Sequence, residues 1–319
     1  MPSTGTGLRF RLFGVPIQIG PSIIVILALF GLGAGNPVVI AMWVAIGVAS
    51  IVVHELGHAL VARLAGAKPT IQLAGLGGVT RYLPEGRSGE QRWQLAISLA
   101  GPAVGLAIGA LALWSRAALG IGASGGYEGA AIQILLFTSI GWSVFNLLPI
   151  LPLDGGQALR QLLPGDDTAR TVRAAWVGTV TSGLLVALAV WQNQLFIAIL
   201  GGLFASQNYR SATGARAAAR DRDELRQLLA DEDWRGLRDA LADGRGDHAT
   251  AAAAQVGAAR AGAHQLAAEI GEVVLERGTD DPAFARRAAA AWRELGLDDR
   301  AMRIEAQAQA LDDGTPADE

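Results

Sequence analysis

The sequence predicts a mainly α-helical protein: a polytopic membrane domain of about six transmembrane helices with one small β-hairpin, followed by a soluble helical domain. Three observations predict it. Hydrophobic residues make up 51% of the 319 and charged residues only 17%, against about 25% charged in ordinary soluble domains. Charge is also unevenly spread. Residues 1–210 hold 12 basic and 7 acidic side chains, whereas residues 211–319 hold 14 basic and 22 acidic ones. Finally, the sparsely charged part breaks into apolar runs close to the roughly 20 residues a helix needs to cross a bilayer.

The same composition excludes several classes. High hydrophobicity with a net charge of −3 rules out a disordered chain. The absence of cysteine removes disulfide scaffolds, thiolate zinc sites and thiol nucleophiles. No basic surplus points to a nucleic-acid partner. Only one of the 26 basic residues is lysine, Lys68, a skew that together with heavy Ala and Gly usage fits a GC-rich bacterial genome.

The predicted spans are residues 17–35, 37–64, 94–114, 131–151, 174–191 and 194–208, the last being short. Basic residues orient them. Arg9 and Arg11 precede the first span; Lys68, Arg81, Arg87 and Arg92 follow the second; Arg160, Arg170 and Arg173 follow the fourth; and Arg210 opens the tail. All these loops fall on one face, which predicts a multi-pass protein of the cell membrane with both termini in the cytoplasm. No signal peptide pattern is expected at the N-terminus. Between spans two and three, TIQLAGLGGVTRYL alternates apolar and polar residues around Gly75, Gly77 and Gly78, a hairpin signal.

The break near Arg210 divides the chain into residues 1–210 and 211–319. The second part reads as six helices. The last four start near 248, 264, 282 and 298, so helix pairs recur every 34 residues, the period of tetratricopeptide arrays. The expectation is a tetratricopeptide-like domain that docks a cytoplasmic protein partner, or else a solubilising helical bundle or dimer contact.

Ionisable groups at membrane depth are costly and mark function. His54, Glu55 and His58 lie inside the second span in VVHELGHALV, and Asp154 ends the fourth in NLLPILPLDGG. His54 and His58 are one helical turn apart on one face, so both imidazoles can reach one ion, while Glu55 sits about 100° round the helix, near enough to touch a water on it. This is the HExxH zinc-hydrolase arrangement. A catalytic zinc takes three protein ligands and keeps a place for water. The only further ligand type in the spans is Asp154, which the topology places at the same face. Pro149 and Pro152 break the helix ahead of it, and Gly155 and Gly156 are expected to let the chain turn sharply.

HELGH in one span and NLLPILPLDGG ending a later one, with SLAGPAVGL between them, resemble the site-2 protease family of intramembrane zinc metalloproteases over residues 8–208. The resemblance implies one zinc per chain held by His54, His58 and Asp154, with Glu55 as the catalytic base. It implies that Asn146 helps place the substrate or its oxyanion and that Gly77 and Gly78 belong to a substrate-clamping β element. The implied activity is regulated intramembrane proteolysis: hydrolysis of a peptide bond within or beside the transmembrane segment of a single-span protein in the lipid bilayer. Neither a PDZ domain nor a CBS pair is visible. Two other functions compete. A catalytically inactive membrane scaffold presenting the helical tail would not need Glu55, which is present. A metal transporter would show repeated halves with matching broken helices, and none is found.

Overall fold

A computed structural model describes residues 7–75, 77–123, 125–279 and 281–312. The chain divides into two compact units, residues 1–213 and 214–319.

The first unit opens with a hairpin. Strand β1 (Leu8–Leu12) pairs antiparallel with β2 (Val15–Ile19) through a two-residue turn, Phe13–Gly14. Both turn residues have positive φ, 49° and 77°, as hairpin turns whose twist matches their strands require. Helix α1 (Pro21–Gly31) follows, with proline in its first turn, where the missing N–H costs nothing. This corrects the expected first span. Val15, Ile17 and Ile19 are buried and alternate with half-buried Pro16 and Gln18, a period of two that belongs to a strand. The apolar run had merged strand and helix into one segment.

Helix α2 (Pro37–Leu64) is capped by the Asn36 side chain, which accepts from the Val38 N–H. Strands β3 (Thr70–Ala74) and β4 (Gly77–Arg81) form the expected hairpin; Leu76 lies outside the described residues. The hairpin does not stand alone. β2 runs parallel to β3, so the sheet has four strands in the order β1-β2-β3-β4 among the described residues. Val15, Ile17, Ile71 and Leu73 on one sheet face are packed with Ile51 and Leu56 of α2. The sheet therefore lies against the turns of α2 that carry the HELGH motif.

Helix α3 (Gln91–Leu119) packs along α2. Helix α4 (Gly126–Leu136) continues through a π-helical turn at residues 137–141 into the short α5 (Trp142–Asn146). An irregular segment leads to α6 (Asp154–Leu162), then α7 (Asp167–Trp191) and α8 (Leu195–Ala230). Four helical segments among the described residues are long and apolar enough to cross a membrane: Pro37–Leu64, Gln91–Leu119, Gly126–Asn146 and Asp167–Trp191. They coincide with the second to fifth expected spans. The first is a shorter apolar helix, Pro21–Ala34. The sixth is the opening of α8, which carries on as a charged helix beyond Arg210.

The second unit contains α9 (Trp234–Ala242), α10 (His248–Arg260), α11 (His264–Glu276), α12 (Pro282–Glu294) and α13 (Asp298–Asp312). Successive helices from α10 to α13 pack as neighbours. Their shared core is built from Leu237, Leu241, Ile270, Phe284 and Trp292, packed among alanines. Gly244, Gly262, Gly278 and Gly296 follow the ends of α9, α10, α11 and α12 with φ between 73° and 82°, a left-handed conformation that glycine adopts at no steric cost.

Helix α10 offers a direct test of one cap. The Asp247 carboxylate accepts from both the N–H and the hydroxyl of Thr250, each at 2.8 Å. Those bonds, the backbone one first, hold its pKa below the ordinary carboxylate value. A depressed folded pKa contributes stability above the unfolded value of about 3.9, and that contribution fades as pH falls through the lower folded value. Asp247→Ala should cost about 1 kcal/mol. Hydrogen exchange of the first-turn amides of α10 should accelerate about fivefold near neutral pH, and the difference from wild type should vanish in strong acid.

Candidate active site

Helix α2 buries His54, Glu55 and His58, each 3–6% exposed. The segment after α5 brings Asp154 to them from a hundred residues away. His54 Nε2 lies 3.0 Å from Asp154 Oδ2, His58 Nε2 lies 3.4 Å from the same oxygen, and the two Nε2 atoms are 3.2 Å apart. Three atoms bound tetrahedrally to zinc at 2.0–2.1 Å stand about 3.3–3.4 Å from one another. The triangle of donor atoms therefore has close to the edge lengths of one face of such a site. His54, Glu55 and His58 also form a group whose ligand atoms lie within 4.8 Å of one another.

The donor chemistry fits a cation as well. His58 Nδ1 is 2.6 Å from the Ile97 carbonyl oxygen, which can only accept. The proton of a neutral ring thus sits on Nδ1, and the Nε2 lone pair faces the carboxylate. Such an arrangement repels unless a cation lies among the donors. Hydrogen bonding of the second ring nitrogen is the usual way a metal-binding histidine is oriented. His54 differs: its Nδ1 is buried and makes no hydrogen bond among the described residues.

Glycines make the close approaches possible. A Cβ at Gly57 of α2 would come within 2.7 Å of the Ala100 carbonyl oxygen, and one at Gly101 of α3 would overlap the His58 ring. SLAGPAVGL thus lets α3 lie directly on the histidine-bearing turn. Gly155 and Gly156 lie inside α6, not in a turn, which corrects the expected role. A Cβ at Gly156 would sit 2.5 Å from the Ile150 carbonyl, and one at Gly155 would overlap the Leu147 carbonyl. They are glycine because the start of α6 folds back against the segment that precedes it.

Glu55 faces the sheet. Thr80 Oγ1 donates to Glu55 Oε2 at 2.7 Å, with the Glu55 carbonyl at 3.1 Å. Two residues back on the same strand face, a Cβ on Gly78 would lie 2.5 Å from Glu55 Cγ and 2.7 Å from Oε1. Gly77 faces the other way, and its Cβ would meet the Trp142 ring at 3.3 Å. Asn146 is buried at the end of α5, but no hydrogen bond joins it to the other predicted site residues. The structure therefore brings His54, Glu55, His58, Asp154 and Gly78 together, with Gly77 beside them. Thr80 was not singled out by the sequence, because only strand register against α2 puts its hydroxyl on Glu55.

Known proteins are similar to this chain. A "Putative zinc metalloprotease sll0528" of Synechocystis is 31% identical over 210 residues, covering 60% of this chain and 50% of that protein. A "Putative zinc metalloprotease Rip3" of Mycobacterium tuberculosis is 33% identical over 223 residues, covering 61% and 53%. "Zinc metalloprotease MJ0392" of Methanocaldococcus jannaschii is 34% identical over 157 residues, covering 48% and 44%. This chain is similar in sequence to these zinc metalloproteases. It spans about half the length of the curated relatives it matches. A solved structure, "Site-2 Protease from Methanocaldococcus jannaschii", aligns with a TM-score of 0.47 at 25% identity, covering 65% of this chain and 95% of that one. No family model matches the chain.

The glycine contacts yield a paired prediction. Gly101→Leu should force the His58 ring aside and cost about 1–3 kcal/mol, as overpacking does. Gly183→Ala in α7, where nothing lies within 4 Å of the added Cβ, should be neutral or stabilise by up to about 1 kcal/mol. Unfolding midpoints of the two variants in one detergent should move apart accordingly.

Proposed function

We propose that the first unit is a zinc-dependent endopeptidase that cuts a peptide bond within or beside the transmembrane segment of a single-span membrane protein. The observation that carries this reading is the triangle of His54 Nε2, His58 Nε2 and Asp154 Oδ2 with the Glu55 carboxylate next to it but outside it. The three triangle residues would hold one zinc ion per chain. When bound, zinc lowers the pKa of a water toward about 7 and polarises the scissile carbonyl.

Glu55 is the general base and then the general acid. It accepts a proton from the attacking water and hands it to the leaving nitrogen, the ordinary cycle for a carboxylate within hydrogen-bond reach. Thr80 holds Oε2, and Gly78 keeps the space beside Oε1 free of a side chain. The Asn146 amide has no hydrogen bond of its own among the described residues, which leaves it available to orient the substrate or its oxyanion.

The strand β4 supports the substrate reading. It is an end strand of the sheet among the described residues, so the backbone groups of Gly78 and Thr80 face away from β3, and Val79 on it is half exposed. An opened substrate segment can add to that edge as a further strand, which lays its peptide bonds beside Glu55. A helical substrate must unwind first, so Gly, Pro, Asn or Ser near the cut lowers the cost by up to about 1 kcal/mol each, and by about 3 for Pro. The basic loops support a site toward the cytoplasm, with both termini on the same side of a bacterial cell membrane. The densely charged second unit, with its 34-residue helix-pair spacing, is a tetratricopeptide-like docking module for a cytoplasmic partner, and the whole acts in regulated intramembrane proteolysis.

Metal and base separate cleanly by mutation. Purified wild type should carry one zinc equivalent, His58→Ala less than a tenth of one, and Glu55→Gln a full equivalent with cleavage of a membrane-protein substrate abolished. A full equivalent in His58→Ala would overturn the ligand set, and retained cleavage in Glu55→Gln would overturn the base. Cleavage by the wild type is the result that separates an enzyme from a scaffold. On the substrate side, replacing helix-weakening residues near the cut by Leu should slow cleavage at least several-fold. Pro at Gly78, whose N–H points away from β3, should do the same from the enzyme side, because it cannot donate to an added strand.

A further inference from the structure

The irregular segment ahead of Asp154 has an unusual backbone problem. Residues 147–153 contain two prolines, Pro149 and Pro152, neither of which has an N–H. Local bonds satisfy the N–H groups around them: Leu147 and Leu148 bond back to carbonyls of α5, Ile150 to Leu148 at 2.7 Å, and Leu153 to Ile150 at 2.8 Å. The N–H of Leu151 has no such local partner, and Leu151 is only 8% exposed. An unpaired peptide group in an apolar interior is costly, and non-helical backbone at membrane depth persists only where protein satisfies it.

Asn208 of α8 satisfies it. Its Oδ1 accepts from the Leu151 N–H at 3.1 Å, and its Nδ2 donates to the Leu151 carbonyl at 2.7 Å. The second amide proton goes to the Phe204 carbonyl at 2.9 Å, one turn back on the same helix. The side chain is completely buried. It thus grips Leu151 by both its N–H and its C=O, as a neighbouring β-strand would, while its own helix braces it. Gly178 of α7 makes room, since a Cβ there would overlap Asn208 Oδ1.

Leu151 is three residues from Asp154. The Asp154 oxygen must stand 3.0 and 3.4 Å from two histidine nitrogens on another helix, and metal–ligand distances tolerate only about 0.2 Å. We propose that Asn208 is a positioning residue for Asp154: its amide clamps the Leu151 peptide and so sets where the carboxylate meets His54 and His58. This rests on the reading of Asp154 as a zinc ligand. Asn208 itself touches no reacting atom.

The test uses the full chain, zinc-loaded in detergent, and follows zinc release to a colorimetric chelator alongside the thermal unfolding midpoint. Three variants are compared. Asn208→Leu keeps the size and removes the clamp. Gly178→Ala pushes the amide aside by one methyl group and is the milder change should Asn208→Leu fold poorly. Ser182→Ala alters another fully buried side chain of α7 that makes no hydrogen bond among the described residues. Asn208→Leu and Gly178→Ala should release zinc at least tenfold faster than wild type, the usual effect of removing an outer-shell support. Ser182→Ala should match wild type. On a cleaved substrate the first two should lower kcat and leave KM near its wild-type value. Folded Asn208→Leu or Gly178→Ala protein that keeps zinc as long as wild type would overturn the clamp. A wild type that takes up no zinc at all would instead overturn the ligand reading on which the clamp depends.

Discussion

The approach of two Nε2 atoms and one carboxylate oxygen to within 3.0–3.4 Å of each other constrains most of the first unit. Three polar atoms are gathered inside apolar protein, where unpaired polar groups are expensive. His54 and His58 arrive by helix periodicity alone. Asp154 has to be delivered by a separate element, and the packing around it is organised to do so. α3 comes close enough for the Ile97 carbonyl to orient His58 only because Gly57 and Gly101 lack side chains. α6 begins close under the broken segment only because Gly155 and Gly156 do.

The same constraint shapes the backbone before Asp154. A regular helix through residues 147–153 would carry the aspartate onward along the helix axis and away from α2. Two prolines stop that, and the stop leaves a peptide group that the local chain cannot satisfy. Gly178 and Asn208, on two later helices, supply the space and the amide that satisfy it. Breaking a helix inside an apolar domain thus creates a demand met from distant sequence, which is why the segment, α7 and α8 must be understood together.

The sheet meets a second demand. Glu55 lies on the helix face adjoining the histidines, turned toward the strands rather than into the triangle. β4 reaches it with a glycine and a threonine on one strand face: the glycine gives room, and the threonine gives a hydrogen bond to one carboxylate oxygen. Because β4 is also an edge strand among the described residues, the element proposed to take up an extended peptide is the same one that holds the proposed base. The apolar sheet face formed by Val15, Ile17, Ile71 and Leu73 against α2 keeps that strand in register.

Local rules sufficed for much of this. The 28-residue apolar run of α2, with histidines one turn apart inside it, dictates a buried pair of imidazoles on one face, because the period of a helix leaves no alternative. The charge contrast on either side of Arg210 sets a sparsely charged, apolar stretch apart from a densely charged one, because a bilayer excludes what water dissolves. The prolines of NLLPILPLDGG announce a broken helix for the same local reason. Long-range pairing was not legible. β2 is five residues joined directly to an apolar helix, so its period of two was lost in the hydropathy, and its parallel partner β3 is more than fifty residues away. Thr80 and Asn208 are ordinary polar residues in sequence, and their importance depends on strand register and helix packing that put one hydroxyl on Glu55 and one amide on Leu151. The sequence by itself determined which groups could do chemistry, since residue type and helical spacing are local properties. Only the tertiary structure decided which groups hold them in place, since a hydrogen bond between distant segments exists only once those segments have packed.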